Sequence, residues 1–300
     1  MRIILCAALL LSQPTPQTAG ERYKSVRVLS DIPATQVIEV MSVIAGSLGV
    51  TCSLCHTDAF ASDEKTNKEK ARQMILMTRR IDQEFGGHGT ITCNTCHQGR
   101  AVPPPVSLVA NAGWNQPVAA APDALPALDT VLERYLAASG GRAAVERIAS
   151  RPVTGTVSRN NGRVAPVSGT YSIGPSAASV DTRLSYPPEG NTEWPVLLSR
   201  AARMSDIYPA MTVTGRVTIA GKPAVVVKAT TRSGTEQQLF FDESSGLLLK
   251  RHSEKPTVLG PLPEEFDFED YREVDGARVP HRIHWSRADY RVTFIIEGLK

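Results

Sequence analysis

Cysteine is scarce in this chain of 300 residues and is confined to its first third. Five cysteines occur, Cys6 near the start and four more between positions 52 and 96, and none follows. The second half therefore lacks the disulfide framework that stabilises many exported domains. The four clustered thiols must serve some other chemistry.

A strong net charge and a membrane-spanning apolar run are also missing. The formal charge of +3 is small for this length, so we expect no nucleic-acid partner. The apolar run at residues 3–11 has about half of the 20 residues that a transmembrane helix requires. Arg2 precedes it and small and polar residues follow up to Gly20, which predicts a signal peptide over residues 1–20 and a periplasmic protein. Cys6 would be removed with that peptide.

Proline divides the remaining chain into two parts of different pattern. Residues 21–100 have helical periodicity and contain the four clustered cysteines. Residues 101–126 contain six prolines among alanines, which is typical of a semi-extended linker. Residues 127–300 predict helices over 128–138 and up to Ile148, and then ten alternating strands. The sequence thus predicts a multidomain α + β protein.

Turn signals between the strands favour one antiparallel sheet. Residues 127–300 are therefore predicted to form a curved antiparallel β half-barrel with one or two helices. The signals lie at hairpin positions and are Asn160-Asn161-Gly162, Ala220-Gly221, Ser233-Gly234, Ser245-Gly246 and Asp275-Gly276.

The four cysteines form two copies of one motif, Cys52-Ser53-Leu54-Cys55-His56 and Cys93-Asn94-Thr95-Cys96-His97. Two thiols three positions apart on one turn can each form a thioether with a haem vinyl group, and the following imidazole then faces the iron. We therefore predict two covalently bound c-type haems, with His56 and His97 as proximal ligands. The motif Cys-x-x-Cys alone also occurs in thioredoxin-type redox pairs and in zinc sites, which are the alternatives.

A low-spin electron carrier needs a sixth iron ligand, for which methionine is suitable because its soft, neutral sulfur favours ferrous iron. Met41 and Met74 lie on predicted amphipathic helices ahead of the first and second motifs, and we predict them as the distal ligands. Met77, three residues further on, is interpreted as a packing residue. With only three aromatic residues in residues 21–100, the haems are expected to form much of this domain's core.

Four further histidines receive no haem role. His88 lies in a Gly-Gly-His-Gly loop only five residues before Cys93, too close to wrap around that porphyrin. His252, His281 and His284 occur in the strand region without a cysteine or carboxylate pattern and are interpreted as structural. On a strand, the spacing of His281 and His284 places them on opposite faces.

Residues 48–100 resemble the cytochrome subunit of photosynthetic reaction centres and its smaller relatives. The resemblance implies that each methionine ahead of a motif is a distal ligand, in agreement with Met41 and Met74. The family has four motifs where this chain has two, and its histidine at the position of His88 binds a different haem. The residues that carry the resemblance are Leu48 to Thr51, the two motifs, Phe60 to Lys65, Lys70 to Ile75 and Thr92 to Gly99.

The second part resembles the outer-membrane lipoprotein carrier and sorting superfamily, in which a helix packs inside an incurved antiparallel half-barrel. That resemblance implies a concave face able to hold a lipid or lipoprotein. The residues that carry it are Tyr135 to Gly141, Leu239 to Asp242, Gly246 to Leu248 and Asp270 to Gly276.

These patterns favour a periplasmic dihaem electron carrier that is not an enzyme. Its partners would be redox donor and acceptor proteins, including a membrane electron-transfer complex. A peroxidase is a different class and needs an open iron position with nearby acid and base groups, which the sequence does not display. A lipid-binding module with accessory haems is the third alternative.

Overall fold

The computed structural model divides the chain into two compact units. The first comprises residues up to Pro103 together with Thr257–Gly260, and the second comprises the remaining residues. The structure describes residues 17–87, 89–103, 124–148, 151–159, 164–170, 174–175, 204–289 and 291–299. The core of the predicted signal peptide, His88, most of the predicted linker, the Asn160-Asn161-Gly162 turn and a strand predicted at residues 178–184 lie outside these ranges.

The described part of the first unit is helical, as predicted. Its α-helices are α1 (Ala19–Arg22), α2 (Val37–Leu48), α3 (Thr66–Glu84) and α4 (Cys93–His97), with 3-10 turns at Ala34–Gln36 and Cys52–Leu54. The backbone N–H of Gly49 bonds to carbonyls of the last turn of α2, and its φ of +63° ends that helix.

The core of the first unit is small and built from aliphatic side chains. Among the described residues it contains no buried aromatic ring. Several large apolar side chains are exposed instead, among them Phe60, Met74 and Phe85. The buried apolar residues are Ala19, Leu29, Ile32, Ala34, Val37, Val40, Val43, Ala45, Ile75, Cys93 and Leu259.

The second unit begins with two helices at the predicted positions, α5 (Leu128–Ala138) and α6 (Gly141–Ile148). A short helix, α7 (Met204–Ile207), precedes the later strands. The strands are β1 (Pro152–Arg159), β2 (Val164–Thr170), β3 (Gly174–Pro175), β4 (Ala210–Ile219), β5 (Lys222–Thr230), β6 (Glu236–Asp242), β7 (Leu248–Thr257), β8 (Gly260–Val274), β9 (Ala277–Arg287) and β10 (Arg291–Leu299).

These strands form one sheet in the order β3-β2-β1-β10-β9-β8-β7-β6-β5-β4. Seven of the strands contribute buried residues to a single hydrophobic cluster that includes Val131 and Tyr135 of α5, and β4 packs against this cluster through Met211 and Val213. A flat sheet of ten strands would be about 43 Å wide, whereas α5 and α6 are only about 16 and 12 Å long. Because so small a pair of helices shares one core with eight strands, the sheet must curve around them. The predicted half-barrel fold class is confirmed.

Large aromatic side chains fill this core. The rings of Phe266 on β8 and Trp285 on β9 stack with centroids 6.1 Å apart, and those two residues are direct partners in the strand register. Tyr135 of α5 packs on Phe241 of β6 at a centroid distance of 5.1 Å. The second unit thus has an aromatic core of its own, which the described part of the first unit does not.

The predicted hairpin turns within the described residues are confirmed, but the strand predicted over residues 247–251 was too short. Ala220-Gly221 and Asp275-Gly276 both have positive φ at both positions, as a two-residue hairpin turn requires. The strand predicted to end at Arg251 continues as β7 to Thr257 and pairs with the 15-residue β8. Pro256 and the charged residues before it interrupt the alternation of apolar and polar residues that predicts a strand.

Candidate functional site

The first Cys-x-x-Cys-His motif forms a single tight turn. The backbone N–H groups of Cys55 and His56 both donate to the carbonyl of Cys52, at 3.2 and 2.9 Å. This geometry holds the two thiols and the imidazole on one turn, as predicted from their spacing. Cys52 is exposed and Cys55 is half-buried.

The second motif occupies the short helix α4. Its N-terminus is fixed by the backbone N–H of Thr92, which donates to the Thr95 hydroxyl at 3.0 Å. Cys93 is buried in the unit's core, whereas Cys96 is exposed. The described residues contain no disulfide, so all four thiols are free.

Both proximal histidines form the same hydrogen bond through Nδ1. His56 Nδ1 lies 3.1 Å from the carbonyl oxygen of Phe60, and His97 Nδ1 lies 2.9 Å from that of Arg100. A carbonyl oxygen only accepts, so each Nδ1 must carry the proton. The Nε2 of each ring is then left with its lone pair, which is the arrangement of a histidine that ligates a metal through Nε2.

The thiol environments differ from those of a redox-active pair. Burial raises the pKa of Cys93, and burial likewise raises the pKa of Cys55 against a smaller opposing effect of Lys65. Reactive thioredoxin-type thiols have a lowered pKa because the thiolate attacks the disulfide. Cys93 is the first thiol of its motif, so its raised pKa disfavours the thioredoxin-type alternative for the second motif.

Helix α3 holds the first motif from one side. Lys65 Nζ donates to the Ser53 carbonyl, and Asn67 Nδ2 donates to the Leu54 carbonyl at 3.3 Å. Both acceptors belong to the turn that carries the cysteines. The start of α3 thus orients that turn.

The other end of α3 holds the segment before the second motif. The carboxylate of Asp82 accepts from the backbone N–H groups of Gly89 and Ile91, at 3.1 and 3.0 Å. These are hydrogen bonds to a charged acceptor, which are stronger than neutral ones. Sequence reasoning missed Asp82, as well as Lys65 and Asn67. Only a three-dimensional structure pairs these side chains with backbone groups so distant in sequence.

The two candidate methionine ligands lie on different helices. Met41 is half-buried on α2, and Met74 on α3 is 49% exposed. Apolar periodicity predicts an inward face of α3 formed by Ala71, Met74, Ile75, Thr78, Ile81 and Phe85. Ile75 and Thr78 are buried as predicted, whereas Met74 and Phe85 are exposed, so the prediction was wrong for these two residues. The buried stripe of α3 is Arg72, Ile75 and Thr78, so a helix period places Met74 beside that stripe.

Met77 is also exposed, to 40%, although the sequence predicted a packing residue. Its position differs from that of Met74 by nearly one helical turn. Met74 and Met77 therefore lie on neighbouring parts of the same α3 surface.

Helix α2 packs against α4 through two glycines. Gly49, just after α2, approaches Gly99, just after α4, so closely that a Cβ on Gly49 would lie 2.1 Å from the Gly99 carbonyl oxygen. The Gly99 N–H donates to the Ser47 carbonyl at 2.9 Å. The helix that carries Met41 is thereby fixed against the motif that carries His97.

The histidines of the second unit have structural partners. His281 is buried, with Nδ1 3.0 Å from the Val279 carbonyl. His284 is on the opposite face of β9, 2.8 Å from the Thr293 hydroxyl, and His252 lies 3.2 Å from Glu265. Within the described residues, no group of three or more histidine, cysteine or acidic side chains is arranged to hold a metal ion.

The donor set suits covalently attached haem. Each motif supplies two thiols and one imidazole with an available Nε2 on a single turn, which is the set that a porphyrin with two vinyl groups and one iron requires. The exposed apolar side chains of Phe60, Met74 and Phe85 belong to the same unit and would favour contact with an apolar ring. Taken together, these features are those of the c-type cytochrome class.

Comparison with known proteins supports that class for the first part of the chain. Residues 4–124 match the family described as photosynthetic reaction centre cytochrome C subunit. The chain is 29% identical over 102 residues to the reaction centre cytochrome c subunit of Rubrivivax gelatinosus and 30% identical over 117 residues to that of Roseobacter denitrificans. It is also 35% identical over 83 residues to cytochrome c-554 of Chloroflexus aurantiacus.

These similarities cover 31%, 33% and 24% of this chain, respectively. The chain spans 28%, 31% and 20% of the length of these relatives. The first part of the chain is thus similar to c-type cytochromes, a family whose members bind haem covalently.

The second unit resembles solved structures of low sequence identity. A LolA superfamily protein from Nitrosomonas europaea aligns with 57% of this chain and 92% of its own, at 13% identity and a TM-score of 0.38. A putative outer membrane lipoprotein-sorting protein domain from Vibrio parahaemolyticus aligns with 56% of this chain and 92% of its own, at 12% identity and a TM-score of 0.35.

Proposed function

We propose that the chain is a dihaem c-type cytochrome that carries electrons. One haem is attached through Cys52 and Cys55, and the other through Cys93 and Cys96. The observation that carries the proposal is the pair of Nδ1–carbonyl hydrogen bonds at His56 and His97, which leave both Nε2 atoms available to iron. Each haem, when bound, supplies a centre that gains or releases one electron.

In such a carrier, the residues of this chain orient the two motifs and their histidine ligands. The carbonyls of Phe60 and Arg100 fix the proximal rings, and α3 holds the first motif and the approach to the second through Asn67 and Asp82. Ligands that are fixed in place move little when the charge of the iron changes, so the reorganisation that accompanies electron transfer is small. This favours electron transfer over chemistry that needs an open coordination position.

Met41 and Met74 complete the coordination in this proposal. We expect Met41→Ala and Met74→Ala each to remove about half of the weak sulfur-to-iron absorption of the ferric protein and to convert one haem to a high-spin form. Met77→Ala is the matched control, because Met77 is on the same helix with similar exposure. Absorption spectra of the three purified variants measure this. A loss of the band in Met77→Ala with none in Met74→Ala would reassign the ligand.

The same spectra separate the carrier from a peroxidase-type enzyme. Six-coordinate irons bind cyanide and peroxide slowly, whereas an open iron binds them at once. We expect the wild-type protein to show the slow behaviour and the alanine variants the fast one. Rapid ligand binding by the wild type would favour the enzyme.

Export to the periplasm through the predicted signal peptide at residues 1–20 is part of the proposal, and the packing of its last residues is relevant to where cleavage occurs. Thr18 and Glu21 cap α1 reciprocally, and the N–H groups of Ala19 and Gly20 donate to carbonyls of Ile32 and Ser30. Ala19 is fully buried. Cleavage after Gly20 would remove this packing. None of the helices in the described ranges is long and apolar enough to cross a membrane.

The proposed domains are the haem domain up to residue 100, a linker over residues 101–126 and the half-barrel from residue 127. The half-barrel would dock the carrier to a redox partner, such as a membrane electron-transfer complex, or to a lipid or lipoprotein. No nucleic-acid partner is proposed, since the net charge of +3 is small.

A further inference from the structure

The carbonyl oxygen that accepts the hydrogen bond of His56 also accepts one from a second donor. Phe60 O lies 3.1 Å from His56 Nδ1 and 2.9 Å from the ammonium nitrogen of Lys68. The ring of Phe60 also stacks on the His56 ring, with centroids 5.0 Å apart. One backbone group therefore joins a proposed iron ligand to a positive charge.

Lys68 is held firmly at this position. Its side chain is 11% exposed, and Nζ also donates to the Ser62 carbonyl at 2.9 Å. Asp63 lies 3.3 Å from Nζ but also pairs with Arg72 and Arg27, at 2.5 and 2.9 Å. One carboxylate shared among three cations neutralises only part of the Lys68 charge.

The second motif has no such feature. The Arg100 carbonyl accepts from His97 Nδ1 at 2.9 Å, and within the described ranges no lysine donates to that oxygen. The two proximal histidines, otherwise alike, therefore differ in the charge behind their hydrogen-bond acceptor.

We propose that Lys68 is a positioning residue that raises the reduction potential of the haem bound at His56. This inference rests on the proposed dihaem function. An oxygen that donates electron density to an ammonium is a weaker acceptor for the imidazole N–H, so the His56 ring gives less electron density to iron. The nearby positive charge also favours the reduced state. Both effects act in the same direction.

The test is a redox titration of the purified haem protein with three variants. Lys68→Met removes the ammonium and keeps the apolar stem, Lys68→Arg keeps the charge, and Lys70→Met removes a charge from an exposed residue on the same helix. We expect Lys68→Met to shift the reduction equilibrium of one haem about tenfold toward the ferric form, which is about 59 mV for one electron. Lys68→Arg should keep the reduction equilibrium close to that of the wild type. Lys70→Met should change this equilibrium less than about twofold.

A second readout identifies the affected haem. In the reduced protein, the His56 ring N–H proton should move downfield in Lys68→Met, because its hydrogen bond becomes stronger, while the His97 proton stays in place. If Lys68→Met does not fold, Lys68→Gln provides the neutral variant. If the reduction potential shifted equally in Lys68→Met and Lys70→Met, or did not shift in a haem-loaded Lys68→Met protein, the role of Lys68 would be overturned and the proposed dihaem function would stand. A protein without haem would overturn the proposed function instead.

Discussion

The variant Cys52→Ala/Cys55→Ala is expected to lose one haem and most of the cooperative unfolding of the first unit. The described core of that unit consists of small aliphatic side chains and has no buried aromatic ring. A unit of this size buries little surface unaided, so the binding energy of its cofactors contributes directly to folding. We expect a loss of several kcal/mol, comparable to the removal of a structural metal or disulfide.

Mass spectrometry would count the remaining haem, and circular dichroism with a denaturant series would follow the helices. Ser53→Ala is the matched control, because it changes the same turn and leaves both thiols. The second unit should unfold normally in both variants, since Trp285 and Phe266 belong to its separate core. If the double variant kept native helicity and a sharp transition in the first unit, haem would not be the core of that unit.

Gly49→Ala should destabilise the first unit far more than Gly99→Ala. Both glycines have positive φ, +63° and +77°, so either substitution introduces left-handed strain of about 1 kcal/mol. Only at Gly49 would the new Cβ meet backbone, 2.1 Å from the Gly99 carbonyl oxygen, whereas a Cβ on Gly99 meets nothing within 4 Å. The expected difference between the variants is about 1–3 kcal/mol, the usual penalty of overpacking.

Denaturant unfolding monitored by haem absorption measures this difference in the free energy of unfolding. Because Gly49 sets the contact of α2 with α4, we also expect weaker methionine ligation in Gly49→Ala. Equal stabilities of the two variants would mean that the close approach of Gly49 and Gly99 does not hold these helices together.

Much of the fold follows from local sequence patterns. The spacing of apolar residues and the Gly140-Gly141 pair predict α5 with the bounds that the structure has. Asp275-Gly276 predicts a two-residue hairpin, and its φ values of +47° and +81° agree with that turn. These features are local, so a single sequence contains the information for them.

The incorrect and missing predictions concern contacts between distant residues. The inward face of α3 was predicted correctly for Ile75 and Thr78 but not for Met74, because periodicity does not show exactly which side meets a neighbour, and Met74 lies beside the buried stripe rather than on it. The bond from Lys68 to the Phe60 carbonyl and the approach of Gly49 to Gly99 depend on loops whose paths the sequence does not specify. The Cys-x-x-Cys-His turns could be predicted because the ligand's own geometry dictates their spacing.

The most direct test is the intact mass of the exported protein, produced in cells with a working haem-attachment system. We expect a coloured protein whose mass equals the polypeptide without its signal peptide plus two haem groups. A colourless product with the mass of the polypeptide alone would contradict the central claim that Cys52, Cys55, Cys93 and Cys96 are sites of haem attachment.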